Sequence, residues 1–197
     1  IMTSITAGSI LWLPDTPLVR SIPNIETGAL DHPVLILRAP PGSESVRNVE
    51  ILTITSFHNT PLIEKHSGQS RRAILRRAEY LPLKRSEEEP HPDSGALLEV
   101  FITGNPQVTQ AKQSYVGLLK QHKVAREHLR ALSGGTARIG PADLKKVKKM
   151  QEVLRPKQKK RKQKRVRAAI ENPKNKKQNT TPAVVPGPSQ TVPSPKH

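Results

Sequence analysis

Val49-Glu-Ile-Leu-Thr-Ile-Thr-Ser-Phe57 decides the fold class. Apolar residues fall at Val49, Ile51 and Ile54, and β-branched side chains run through the stretch, so it predicts a strand. Working outward, Pro33-Val-Leu-Ile-Leu37 is a compact apolar run closed by Pro40-Pro41-Gly42, a second strand. Gly8-Ser-Ile-Leu-Trp-Leu-Pro14 is another such run, and residues 14–30, with three prolines and few periodic apolar positions, read as a long loop between the two. Residues 58–79 are polar and basic. Beyond them Tyr80-Leu-Pro-Leu83, Ala96–Ile102 and Ser114–Leu118 supply three further short strands. An acidic loop, Ser86–Gly95, separates the first two of these, and a Gly-Asn-Pro turn from Gly104 the last two. In residues 123–132, Val124, His128, Leu129 and Leu132 have helical spacing and predict a short amphipathic helix. Five or six short strands with wide loops and one late helix suggest a mainly β fold, a small barrel or half-barrel of roughly 100–130 residues.

Charge divides the 197-residue chain more sharply than hydropathy does. The net charge is +17, yet residues 1–143 hold 16 Lys/Arg against 14 Asp/Glu. Residues 144–177 hold 16 Lys/Arg against 2 Glu and so carry +14 of the total. The preference for polyanions implied by a high isoelectric point therefore belongs to the tail. Gly134 to Pro141 reads as a linker. Pro141-Ala-Asp-Leu can open a helix with Leu144, Val147, Met150, Val153 and Leu154 on one face, and beyond Pro156 no apolar face survives. From Pro173 onward the chain is Pro, Ser, Thr, Asn and Gln, a composition that predicts disorder. The expected organisation is a barrel domain over 1–135 and a basic linker and Pro-rich tail over 136–197. The chain has no cysteine, which excludes disulfides and cysteine metal sites. No apolar run reaches the roughly 20 residues of a bilayer span, and no membrane partner is expected. The sequence opens on Ile1, so an upstream segment stays open.

The run Gly8-Ser-Ile-Leu-Trp-Leu, then His32-Pro-Val-Leu-Ile-Leu, then Ile51-Leu-Thr-Ile-Thr-Ser-Phe resembles the opening of the PemK/MazF-like family and of fungal proteins that share the pattern. The later strands and the helix at 123–132 fill the remaining slots, so the resemblance covers roughly residues 8–132. It implies an SH3-like barrel. Bacterial members are often dimeric endoribonuclease toxins, so a homodimer is among the arrangements it allows. The family's site uses an Arg at the head of the second strand and a Thr or Ser at the end of the third. Matched by position, those residues are His32 and Thr55 or Ser56. His32 in place of Arg changes the chemistry. Arg is always charged and can hold a phosphate, whereas His can move a proton near neutral pH. Ser9 also stands where the family has an acidic residue. Whether the chain is an endoribonuclease is thus open, and His32 and Thr55 can equally be a strand-edge residue and a β-former.

Other residues allow chemistry of their own. Ser70-Arg-Arg-Ala-Ile-Leu-Arg-Arg77 sets Arg71, Arg72, Arg76 and Arg77 around a short apolar core, a phosphate clamp beside the barrel or else a solvated loop or strand edge. His58, His66, His91 and Asp93 match no metal-ligand spacing, so no metal or cofactor is expected. Trp12 is expected to pack in the core. In the tail, Lys145, Lys146, Lys148 and Lys149 form one cluster. Lys157, Lys159, Lys160, Arg161, Lys162, Lys164 and Arg165 form a second. Two clusters with a short spacer look like a bipartite signal for the nucleus or nucleolus, read by an import receptor. The same charges can neutralise phosphates. With no interleaved aromatics, such binding should be sequence-tolerant. The expectation is a nuclear nucleic-acid-binding protein, RNA ahead of DNA. The alternatives are an endoribonuclease and a non-catalytic protein-interaction module addressed by its tail.

Overall fold

In the computed structural model, residues 5–39, 48–84, 89–104, 113–133 and 135–171 are described, with the backbone alone along 157–171. The Pro40-Pro41-Gly42 stop, the Asn105-Pro106 turn, residues 85–88 of the acidic loop, Gly134 and the tail from Pro173 lie outside the described residues. Among the described residues seven strands form: β1 (Ser9–Leu13), β2 (His32–Arg38), β3 (Asn48–Thr55), β4 (Tyr80–Lys84), β5 (Leu98–Gly104), β6 (Ser114–Ala125) and β7 (Gly135–Ile139). They close into a barrel in the order β1-β2-β3-β6-β4-β5-β7, with β7 returning to β1. Every pairing is antiparallel except β4 with β5. The mainly β barrel expected from the strand pattern is the fold.

Alternation along β1, β2 and β3 sends side chains to two apolar layers. Ile10, Leu35, Leu37, Leu52 and Ile54 meet Leu81, Leu83, Leu98, Val116 and Ala137 in one core. Leu11, Leu13, Val34, Ile36, Val49 and Ile51 form a second core with Val19, Leu30 and Val124. The segment between β1 and β2 covers this second layer. It contributes Val19 from the short helix α1 (Pro17–Arg20), then Ile22, Ile25 and Leu30. Burial on both faces explains why β2 reads as an unbroken apolar run rather than an alternating one. The cover is tied down on β6. Lys120 pairs with Glu26, and the His122 Nδ1–H donates to the Asn24 carbonyl at 3.1 Å.

Several local expectations are corrected. The region 123–132 is not a helix. β6 continues to Ala125, because Lys123, Val124 and Ala125 pair with Glu50, Val49 and Asn48 and complete the ladder of the eight-residue β3. A 3-10 turn at Arg126–His128 follows, and then an exchange of backbone hydrogen bonds between Arg130 and Trp12. Helical spacing of three apolar residues and His128 loses here to a strand partner already in register. Gly135–Ile139, inside the expected linker, is β7, the strand that closes the barrel between β1 and β5. Residues 58–79 hold two short helices, α2 (Leu62–Lys65) and α3 (Arg71–Arg77). The Ser70 hydroxyl caps α3 by accepting the Ala73 N–H. Trp12 is half-buried and belongs to neither core.

The long helix α4 (Pro141–Glu171) starts one residue after β7, with Pro141 in its first turn. Pro156 lies within it. Its seated face is Asp143, Val147, Gln151 and Leu154, with Leu144 and Met150 packed beside them. Val153 is not on that face and is 54% exposed.

Gly8 sits at the seam of the barrel. Its N–H donates to Ile36 O at 2.8 Å and its carbonyl accepts the Ile139 N–H at 2.9 Å, joining β2 and β7 to the head of β1. It adopts φ +92°, and a Cβ there would stand 2.9 Å from the Ile139 carbonyl oxygen. Both facts demand glycine. Gly8→Ala is expected to cost about 1–3 kcal/mol in urea unfolding. Gly28→Ala, where an added Cβ meets nothing within 4 Å, should stay within about 0.5 kcal/mol of the parent.

Candidate functional site

β2 and β3 pair antiparallel through Val34 and Thr53. His32 heads β2 and Thr55 ends β3, each two residues beyond that pair on its own strand. Alternation puts His32 on the side of Val34 and Ile36, and Thr55 on the side of Ile51 and Thr53, so both lie on the face away from the barrel interior. Thr55 Oγ1 accepts the Phe57 N–H at 3.4 Å, and among the described residues His32 has no side-chain hydrogen bond. Ser56 precedes a 3-10 turn and does not cap it. An imidazole and a hydroxyl at one strand mouth are the ingredients of proton transfer to or from a hydroxyl.

The chain leaves Thr55 through a backbone that few side chains adopt. Phe57, His58 and Asn59 have φ of 47°, 55° and 65°, three consecutive non-glycine residues in the left-handed region. This turn aims the Phe57 ring into a cluster. Phe57 stands 4.9 Å from Tyr80 edge-on, 5.4 Å from Tyr115 and 6.0 Å from His66, centroid to centroid. The His66 and Tyr80 rings lie nearly parallel at 5.9 Å. The buried Tyr115 hydroxyl accepts the Leu62 N–H at 3.0 Å and so holds the start of α2. Lys65 Nζ lies 5.8 Å from the Phe57 centroid. Burial lowers the His66 pKa, helped by the positive charge of Arg76, and burial raises that of Tyr80. No sequence motif announced this cluster. Its only signal was that Phe57 ends one expected strand, Tyr80 heads another and Tyr115 is the second residue of a third.

The four arginines of α3 have different fates. Arg71, Arg72 and Arg76 are exposed, and Arg76 faces Glu79 at 3.4 Å. Arg77, grouped with them in the sequence as a phosphate ligand, is fully buried and committed to internal partners. It makes a bidentate pair with Asp93 at 2.6 and 2.7 Å and donates to the carbonyls of His66 and Gly68 at 2.8 and 2.9 Å. Asp93 N–H donates to His91 Nδ1, so the His91 proton sits on Nε2, which donates to Arg77 O at 2.9 Å. The Arg77 hydrogen bonds hold the Asp93 carboxyl below its usual range. His91 and Asp93 therefore form a structural clasp, and His66 belongs to the aromatic cluster. Among the described residues no three possible metal ligands converge.

In the first basic cluster, Lys145 and Lys149 are exposed, Lys148 is half-buried, and Lys146 pairs with Asp143 at 2.6 Å. The side chains of the second cluster, Lys157–Arg165, lie outside the described residues. No hydrogen bond or ring contact joins His32 to α3 or to the lysines among the described residues. No family model matches the chain, and no curated protein matches it.

Two pH dependences follow from this geometry. Asp93 has a lowered folded pKa, so its stabilisation is present above about pH 4 and is lost as pH falls through the folded value. Asp93→Asn should lower the thermal midpoint at pH 7 by on the order of 10 °C, and melts at pH 4 to 2 should show the gap closing. His66 has the opposite signature. Its folded pKa is lowered, so the unfolded chain takes the proton first as pH falls through about 6.5. Wild-type stability should then decline from pH 7 towards 5, and in His66→Gln that part of the decline should vanish in the same melts.

Proposed function

We propose that the protein binds nucleic acid, RNA ahead of DNA, through the basic segment 144–177 that follows the last barrel strand. The observation that carries this reading is the segregation of charge: +14 of the net +17 lies in 34 residues, beside a barrel region with almost balanced charge. α4 is consistent with that role. It seats itself by Val147, Gln151 and Leu154 and leaves Lys145 and Lys149 in solvent. Lysine-rich surface of this kind neutralises phosphates, releases counterions and reads little sequence. The preference for RNA rests on the resemblance to the PemK/MazF-like family. In a eukaryotic cell the same two clusters would engage an import receptor and carry the chain to the nucleus or nucleolus.

The placement of His32 at the head of β2 and Thr55 at the end of its neighbour β3 supports a second reading, an endoribonuclease of the PemK/MazF-like type acting on a captured strand. RNA turnover by the wild type and by His32→Ala and Thr55→Ala separates the two. Cleavage abolished in both variants, with binding retained, favours the enzyme. No cleavage by the wild type leaves the binding module.

Deleting the whole basic segment is a poor test, because Val147 and Leu154 belong to the barrel's core. Replacing the seven Lys and Arg of 157–165 by Gln keeps that face intact. If these residues meet about seven phosphates, the log–log salt slope of duplex binding is near −6. The Gln variant should flatten that slope and lose at least about a hundredfold in affinity at 50 mM salt. A salt titration of both proteins decides it. Equal affinity and slope would move the polyanion site away from the tail.

A further inference from the structure

We infer that the half-exposed rings of Phe57, His66 and Tyr80, flanked by Lys65, Arg72 and Arg76, form a contact for an unpaired nucleobase of a single strand. This rests on the nucleic-acid reading above and adds to it a site on the barrel that distinguishes single strand from duplex. Three observations carry it. The first is placement. The barrel interior is filled by aliphatic side chains, so the fold does not need this cluster as its core. Of its members only Tyr115 is buried, and Tyr115 has a structural hydrogen bond to α2. Phe57, His66 and Tyr80 stay half-exposed.

The second observation is cost. The Phe57–His58–Asn59 turn puts three side-chain-bearing residues in the left-handed region, where each is disfavoured. His66 Nε2 is buried without a hydrogen-bond partner. Strained turns and orphaned polar atoms persist where surrounding structure fixes them, and they concentrate at binding sites. The third is charge. Lys65 lies over the Phe57 face. Arg76 is close enough to His66 to depress its protonation. Arg72 is one turn before Arg76 and so shares its side of α3. Flat uncharged rings beside cations suit a stacked base and its phosphates, as on other single-strand surfaces. The neutral imidazole of His66 near pH 7 fits that use.

The test uses the full chain with a single-stranded RNA carrying 2-aminopurine and with the duplex of the same sequence, at fixed salt. Wild-type protein should quench the probe in the single strand and not in the duplex. Tyr80→Leu should weaken single-strand binding about tenfold and leave duplex binding unchanged. Arg72→Gln, a surface change that does not endanger folding, should weaken single-strand binding a few-fold and lower its salt slope by about one. Should Tyr80→Leu fail to fold by circular dichroism, Arg72→Gln and the wild-type quench decide. Unquenched probe, or variants that bind the single strand as the wild type does, would overturn the inference. So would equal losses for single strand and duplex. If duplex binding keeps its steep salt slope in that case, the tail reading survives alone. A wild-type chain that binds neither strand form defeats both.

Discussion

Closure of the barrel at Gly8 is the constraint on which the other elements depend. The Gly8 backbone bonds to Ile36 and to Ile139, so one residue holds the head of β1 between β2 and β7. With β7 held there, its other edge receives β5 through Val100–Ile139 to Gly104–Gly135. β5 in turn is the parallel neighbour of β4. The chain enters α4 one residue beyond Ile139, and the Gly140 backbone packs close to Phe101, where a Cβ would meet the ring at 3.4 Å. The start of the basic helix is thus a consequence of the same seam. A side chain at Gly8 would push on the Ile139 carbonyl, and through it on the point from which α4 departs.

The strands that were legible in the sequence are those whose apolar pattern has one cause. β2 and β3 announce themselves because burial on both faces selects apolar and β-branched residues at almost every position. β7 does not, because Gly135-Thr-Ala-Arg-Ile139 sends only Ala137 and Ile139 inward and is flanked by the glycines of an ordinary linker. The second half of β6 was misread for a related reason. Lys120, Gln121 and Lys123 interrupt its apolar residues, and the register with β3 shifts opposite Leu52–Ile54. What remains of the pattern fits a helix as well as a strand. Only the unpaired edge of β3 decides between them, and an edge is a property of the assembled sheet.

At the candidate site, sequence position found the strand ends and missed what surrounds them. His32 heads β2 and Thr55 ends β3, because the strand boundaries read from the sequence were nearly right. The aromatic cluster draws on residues 57, 66, 80 and 115, scattered across two strands, a turn and the end of a helix. No local period links them. Arg77 shows the same limit from the other side. In sequence it is one of four equivalent arginines, yet its place on the buried side of α3 makes it a bidentate partner of Asp93, while Arg72 and Arg76 remain in solvent. Helix phase separates the buried Arg77 from the exposed Arg72 and Arg76, and phase was invisible while 58–79 read only as polar and basic.

The basic helix poses a packing problem that its polar residues solve. α4 offers the core little beyond Val147 and Leu154 as fully seated apolar side chains, against lysines at almost every other position near its start. So narrow an apolar face leaves the rotation of the helix about its axis weakly set, and a turn of one position would press a lysine onto the barrel. Two buried polar contacts remove the ambiguity. Asp143 Oδ2 accepts the Glu99 N–H at 2.9 Å, and the Gln151 amide donates to the Leu118 carbonyl at 2.9 Å. Each bond is directional and would be lost on rotation, leaving a buried polar group unpaired, which costs more than the bond itself contributes. Eight residues apart, the two lie on one face, two turns along the helix. Together they fix which side of α4 meets the barrel, and therefore which lysines stand in solvent. Orientation is set by hydrogen bonds and seating by two aliphatic side chains, so the first turns of a helix this charged can pack on a barrel whose own charges nearly balance.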